Sequence, residues 1–142
     1  MDIGIFALIK NEEGKILLVK DVSRQKLWTL PGGGAEFKEL LPDTLIRELK
    51  EEASVEIAVG QLLGIFSQQK SPGIVVLFEA KHLSGNPTPD GAETSECKFF
   101  SLEELLEIRE QVKPAQLSMV WQVSKTNEYP IFNSFPAPES HD

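Results

Sequence analysis

The chain has 142 residues, of which 41% are hydrophobic and 25% charged, with a net charge of −8. That length supports one domain with a real core, and the composition is that of an ordinary globular protein. The acidic balance argues against a nucleic-acid binder, which needs a basic footprint. No stretch of about 18 apolar residues and no signal-peptide pattern is present, so neither a membrane span nor secretion is expected. The single cysteine, Cys97, has no internal disulfide partner; a small buried thiol and a cytoplasmic location are expected.

In chain order, Ile3 to Ile9 reads as a strand ended by the turn Asn11-Glu12-Glu13-Gly14, with Lys15 to Lys20 as its hairpin partner. Trp28-Thr29-Leu30 reads as a short strand leading into Pro31-Gly32-Gly33-Gly34, a sharp turn whose backbone can be closely approached. A helix follows. Leu41, Leu45, Leu49 and Ala53 recur every four residues, Pro42 suits a first helical position, and Asp43 places an anion in the first turn. The helix ends near Ser54. Glu56 to Phe66 is strand-like but broken by Gly60 and Gly64, and Gly73 to Ala80 is the strongest strand, expected to be central. The stretch from Gly85 to Gly91 is a loop, Cys97 to Phe100 a strand, and Ser101 the N-cap of a helix with Glu104 at the capping-box position. Pro114 to about Lys125 forms a last helix. Residues 1–132 form a single domain, and residues 133–142 are expected to be a flexible tail.

The first helix carries the chemistry. At about 100° per residue, Glu48, Glu51 and Glu52 stand at i, i+3 and i+4 and share one face. Glu52 projects between Leu41 and Leu45, inside the apolar arc, where a carboxylate is costly unless compensated. Arg47 reaches Glu51 at i+4 but cannot neutralise all three. A bound divalent cation would, and Mg²⁺ is held by one or two carboxylates plus substrate phosphate oxygens. The net charge points the same way, because an acidic site repels an anionic substrate unless a cation reverses the local sign. A solvated charged face is the plain alternative for such a helix. The glycine-rich loop and the further Glu36 and Glu39 before the helix argue against it.

These residues resemble the box of the Nudix hydrolase family (MutT-like), G-x5-E-x7-R-E-U-x-E-E-x-G-U with U aliphatic. Gly33, Glu39, Arg47, Glu48, Leu49, Glu51, Glu52 and Val55 match its fixed positions, and Ser54 replaces its last Gly. Lys38 stands where many members have Gly. Leu30-Pro31-Gly32-Gly33 matches the family's lead-in, and Glu36 its additional Glu. The resemblance extends from residue 3 to about 110. It implies an α/β fold, a Nudix-type α/β/α sandwich with a mixed β-sheet. It implies a metal-dependent hydrolase that cleaves the pyrophosphate bond of a nucleoside diphosphate linked to another moiety, a nucleoside triphosphate or a nucleotide sugar such as ADP-ribose.

The site residues follow from the same resemblance. Glu48, Glu51 and Glu52 would be metal ligands with the Gly32 carbonyl as a further one, and Mg²⁺, or Mn²⁺, the ion. Arg47 would orient a box glutamate, and Gly33, Glu36 and Glu39 would support the site. The general base is Glu48, Glu93 or Glu96. A small-molecule nucleotide is the expected partner, with no nucleic acid or membrane, and the chain a monomer or homodimer. The alternatives are a Nudix-like nucleotide-binding or sensor domain without strong catalysis, and an interaction protein whose acidic helix is only solvated. Trp28, Phe66 and Phe78 are read as core aromatics rather than base-stacking groups, and Ser140-His141-Asp142, being adjacent, cannot form a triad.

Overall fold

The computed structural model describes residues 2–23 and 26–134. Its elements are β1 (Ile3–Lys10), β2 (Ile16–Asp21), β3 (Trp28–Thr29), β4 (Gly32–Gly34), α1 (Leu41–Ala53), β5 (Glu56–Ser67), β6 (Ile74–Ser84), β7 (Thr94–Phe100), α2 (Leu102–Glu107), a 3₁₀ turn at Arg109–Gln111, α3 (Pro114–Ser124) and β8 (Ile131–Ser134). The strands form one mixed sheet in the order β3-β2-β1-β6-β5-β8, with β4 also on β1 and β7 also on β2. The β1–β6 and β5–β8 pairs are parallel. The expected central strand, β6, lies between β1 and β5.

Strand alternation divides the core into two layers. Ile5, Ala7 and Ile9 of β1, with Leu17 and Val76, pack against Leu45, Leu49 and Ala53 of α1. Leu8, Ile16, Leu18, Val75 and Leu77 face the other way, onto Leu105 of α2 and Met119, Val120 and Val123 of α3. One helix therefore covers one face and two helices the other, which is the α/β/α sandwich. Trp28 and Phe66 are buried in the second layer, and Phe78 packs on the first. Among the described residues, no helix is long and apolar enough to cross a membrane.

Four details differ from the reading of the sequence. Gly32–Gly34 is a short strand rather than a turn, antiparallel to β1 with Ile5 opposite Gly33 and Phe6 opposite Gly32. The close backbone approach is real: a Cβ on Gly32 would lie 2.0 Å from the Ile5 carbonyl oxygen. Second, β5 runs unbroken through Gly60 and Gly64. Its register against β6 shifts between Val59 and Leu62 and between Leu62 and Gly64, so the glycines mark bulges rather than ends. Third, Cys97 is only partly buried. Fourth, β8 continues to Ser134, pairing with Ser67, so order passes beyond the boundary expected at residue 132. The remainder of the tail, including Ser140-His141-Asp142, lies outside the described residues.

The two departures from the glycine pattern both sit in left-handed backbone. Lys38 has φ 69° and Ser54 φ 58°. Ser54 ends α1 in the αL conformation, its N–H donating to the Lys50 carbonyl at 3.2 Å while Val55 N–H reaches Leu49 at 3.5 Å. This is the helix-ending geometry that glycine favours, and an L side chain in it costs about 1–2 kcal/mol. Part of that is offset by the extra freedom glycine gives the unfolded chain. Ser54→Gly and Lys38→Gly are therefore each expected to stabilise by about 0.5–1 kcal/mol, additively, raising the thermal midpoint by about 2–4 °C. Thermal unfolding of the two single variants and the double variant checks this, and a lowered midpoint would contradict it.

Candidate active site

The segment before α1 is tied to the helix through Arg47 and Glu39. The Arg47 guanidinium donates twice to Glu39, Nε to Oε2 at 2.9 Å and Nη2 to Oε1 at 3.0 Å. Buried Thr44 adds its hydroxyl to Glu39 Oε1 at 2.8 Å. Fork-to-fork pairing of this kind is strong and directional. Arg47 beside it holds the Glu39 carboxyl down at about 2. The same guanidinium lies 3.1 Å from Glu51, 3.5 Å from Glu48 and 3.4 Å from Glu36. Arg47 is thus shared by four glutamates, and its own pKa is pushed further up, first by Glu39.

Glu48 and Glu52 turn inward from α1 onto β4. Glu48 occupies the space a side chain at position 33 would fill: a Cβ on Gly33 would lie 1.8 Å from Glu48 Oε2. Glu52 is 8% exposed and accepts the Gly32 N–H at 3.2 Å. Gly33 therefore makes room for Glu48, while Gly32, pressed against β1, offers its N–H to Glu52. Burial pushes the Glu48 carboxyl up to about 7, with Arg47 opposing and Glu51, Glu93 and Glu36 adding repulsion. Burial likewise pushes Glu52 up to about 8, assisted by Glu48, opposed by the Gly32 N–H, and assisted by Glu93 and Asp90. Two acids at successive turns, Glu52 buried and Glu48 half-buried, thus ionise far less readily than a free glutamate.

The other expected site residues divide into two groups. Glu36, Glu39, Arg47, Glu48, Glu51 and Glu52 converge on one end of α1, and Glu93 is near enough for its charge to act on both buried acids. Glu51 is the outward member, its side chain 58% exposed and held by Arg47. Glu96 stands apart. The strand expected to begin at Cys97 begins at Thr94, so Glu96 lies within β7 rather than on a loop. It alternates away from Cys97, which packs on the α1 layer, and pairs with Lys20 at 3.4 Å. Asp90 and Thr94 escaped the reading of the sequence, although Asp-Gly ahead of a Thr is a turn signal. Asp90 caps the turn that carries Glu93, and the Thr94 hydroxyl donates to the main-chain carbonyl of Glu52 at 3.0 Å.

The donors suit a hard cation in kind but are not gathered into a cage. Among the described residues, no three His, Cys, Asp or Glu side chains come together to hold a metal. Arg47 draws Glu51 outward while the Gly32 N–H holds Glu52 inward. Magnesium needs only one or two carboxylates, with water and substrate phosphate completing its shell. Glu48 and Glu52 are the two that could meet that need, each only partly compensated, by Arg47 and by the Gly32 N–H.

A model of the NUDIX domain matches residues 2–120. A Bacillus subtilis protein provisionally named an 8-oxo-dGTP diphosphatase is 34% identical over 100 residues, 69% of this chain. The match spans 65% of that relative's own length, just under two thirds. Human diphosphoinositol polyphosphate phosphohydrolase 3-alpha is 27% identical over 135 residues, covering 93% of this chain and 82% of the relative. The crystal structure of an ADP-ribose pyrophosphatase from Streptococcus suis superposes with a TM-score of 0.71 at 28% identity, covering 93% of this chain and 98% of the other. A NUDIX hydrolase from Nitrosomonas europaea shares the fold with a TM-score of 0.82 at 23% identity, covering 94% and 78%. That family generally uses divalent metal ions, and the chain belongs to it: this is a Nudix hydrolase.

Proposed function

We propose that the protein is a Mg²⁺-dependent pyrophosphohydrolase, with Mn²⁺ able to substitute, acting on a nucleoside diphosphate linked to another moiety. The observation that carries this is the pair of inward-facing carboxylates, half-buried Glu48 and buried Glu52, set against the side-chain-free backbone of Gly32 and Gly33. The relatives are named for 8-oxo-dGTP, for ADP-ribose and for diphosphoinositol polyphosphates. A diphosphate linkage is common to all three names.

In this reading Glu48, Glu52 and, after a turn away from Arg47, Glu51 hold the ion, with the Gly32 carbonyl as a further oxygen. A bound divalent cation would neutralise the bridging and leaving oxygens and lower the pKa of water. Arg47 fixes Glu48 and Glu51, and through Glu39 it anchors the segment before α1 to the helix. Water attacks one phosphorus. The new P–O bond forms as the bridging P–O bond breaks, and the departing phosphate leaves with the bridging oxygen. The water proton passes to a carboxylate, for which Glu93 is better placed than Glu96, since Glu96 is engaged by Lys20. Glu48 serves the same role only if it is not a metal ligand.

A second reading rests on the absence of a ready-made three-carboxylate cage among the described residues. In it the domain binds a nucleotide and does not turn it over. Turnover of a panel containing nucleoside triphosphates, oxidised ones, ADP-ribose and a diphosphoinositol polyphosphate separates the two, with calorimetry beside it. Mg²⁺-dependent release of a monophosphate product is expected, and binding without release would favour the second reading.

Glu48→Gln and Glu52→Gln are each expected to lower kcat by about 100-fold or more and to weaken Mg²⁺ binding in calorimetry. Unchanged metal binding in both would sink the assignment of the ligands. Gly33→Ala places a methyl group into Glu48 and is expected to cost activity and about 1–3 kcal/mol of stability; wild-type stability and turnover would show that the strand gives way.

The two raised acids also fix the sign of a pH effect. Below the ordinary glutamate value of 4.5 both are neutral, folded or unfolded. Above it the unfolded chain ionises freely while the folded chain resists, so without metal stability falls as pH rises through about 7 and 8. Glu39 acts oppositely, but only between about 2 and 4.5. In EDTA the thermal midpoint should drop by several degrees between about pH 5 and 8.5, and Mg²⁺ at the upper end should restore it. A midpoint in EDTA that is flat across this range, with no response to Mg²⁺, would contradict the proposal.

A further inference from the structure

The segment from Asp90 to Thr94 is bonded more heavily than a connecting loop requires. Asp90 Oδ1 accepts the N–H groups of Ala92 and Glu93 at 2.9 Å and of Thr94 at 3.0 Å. Asp90 N–H donates to Thr94 Oγ1 at 3.2 Å, and Gly91 N–H to the Thr94 carbonyl at 2.9 Å, which closes the turn. Gly91 has φ 80°, a conformation glycine adopts freely. A capped turn of this kind is common by itself. Its attachments are what distinguish this one.

Two further bonds fasten this segment and the loop before it to α1, and a third ties it to the chain just past β2. The buried Thr94 hydroxyl donates to the main-chain carbonyl of Glu52. Thr88 N–H donates to the Ala53 carbonyl at 2.8 Å, so the preceding loop also sits on the C-terminal turn of α1. The Glu93 carbonyl accepts Val22 N–H at 3.0 Å, beyond the end of β2. Glu93 is thereby held at both main-chain groups, by Asp90 on one side and Val22 on the other. Its neighbour Thr94 is bonded to the very residue that supplies the more deeply buried acid of the site. The Thr94 bond to Glu52 thus sets the Glu93 main chain beside the C-terminal turn of α1.

We propose that Asp90 and Thr94 are positioning residues: they lock the main chain of Glu93 to the C-terminal turn of α1 and so fix the point from which its carboxylate serves the site beside Glu52. The inference rests on the pyrophosphohydrolase reading, with Glu93 taking the proton of the attacking water. Neither Asp90 nor Thr94 touches substrate in it. Displacing a base by about 1 Å can cost about 100-fold in rate.

The test measures kcat and KM with Mg²⁺ for the wild type, E93Q, D90A, D90N, T94V and the double variant D90A/E93Q. E93Q should lower kcat by about 100-fold or more. D90A should lower kcat by about 10- to 100-fold with KM almost unchanged. D90N keeps the Oδ1 acceptor and should recover most of that loss, and T94V should fall between. The double variant should be no slower than E93Q alone, because nothing remains to be positioned. Hydrogen exchange should quicken at residues 92–94 in D90A while α1 stays protected. Should D90A also loosen α1, then D90N and T94V, each crossed with E93Q, decide by the same non-additivity. A D90A enzyme as fast as the wild type, or losses that multiply in the double variant, would overturn the positioning role alone. A wild type inactive on the whole panel would instead overturn the reaction on which it rests.

Discussion

Two carboxylates, one buried and one half-buried, facing a strand without side chains form the constraint on which the site depends. Glu48 and Glu52 project from successive turns of α1, and both press onto β4. Only glycine at 33 leaves room for Glu48, and only glycine at 32 lets the chain pass beside β1 while giving its N–H to Glu52. The helix must therefore lie across β4, which fixes the angle between α1 and the sheet. Leu45, Leu49 and Ala53 on the neighbouring stripe of α1 then meet the β1 face. Hydrophobic packing and acid burial demand the same docking, which makes a costly arrangement of charge structurally stable.

Arg47 organises what remains. One guanidinium has five donors in a rigid fork. Here it closes the pre-helical segment through Glu39 and leaves its outer edge for Glu51, Glu48 and Glu36. The resulting cluster is graded in acidity. Glu39, directly paired with the cation, stays ionised far into acid, whereas Glu48 and Glu52, buried and mutually repelling, hold their protons to neutral pH. Carboxyl groups on one helix and its lead-in thus acquire different roles from their surroundings. The gradient follows the surroundings: Glu39 is held by Arg47 and Thr44, whereas Glu52 is buried on the Gly32 N–H.

Much of the site could be read directly from residue spacing. The four-residue leucine stripe placed α1, and helical projection put Glu52 among apolar residues; it is buried as expected. Ser101 and Glu104 form the capping box their spacing implied. Where the reading failed, the missing information was non-local. Nothing near Gly32–Gly34 says that β1 will run beside it, so a strand looked like a turn. Glu96 looked like a loop residue because the first residues of β7 are polar, yet pairing with β2 extends the strand back to Thr94 and turns Glu96 to Lys20. Asp90 and Thr94 were legible only as turn formers, since their attachment to the end of α1 spans some forty residues of chain.

The sequence by itself determined which groups bear the chemistry: their types, their spacing on one helix and the apolar stripe that must be buried are all local and periodic. It also marked Lys38 and Ser54 as the places where backbone would be under tension, because an L residue stood where glycine was expected; both have positive φ. The tertiary structure alone decided that Arg47 closes on Glu39, that Glu52 accepts the Gly32 N–H and which acids approach from another strand. Those properties depend on desolvation and on contacts between segments far apart in the chain. Glu51 and Glu52 are adjacent in sequence, yet one is exposed on Arg47 and the other buried on Gly32, a difference created only when α1 docks on β4.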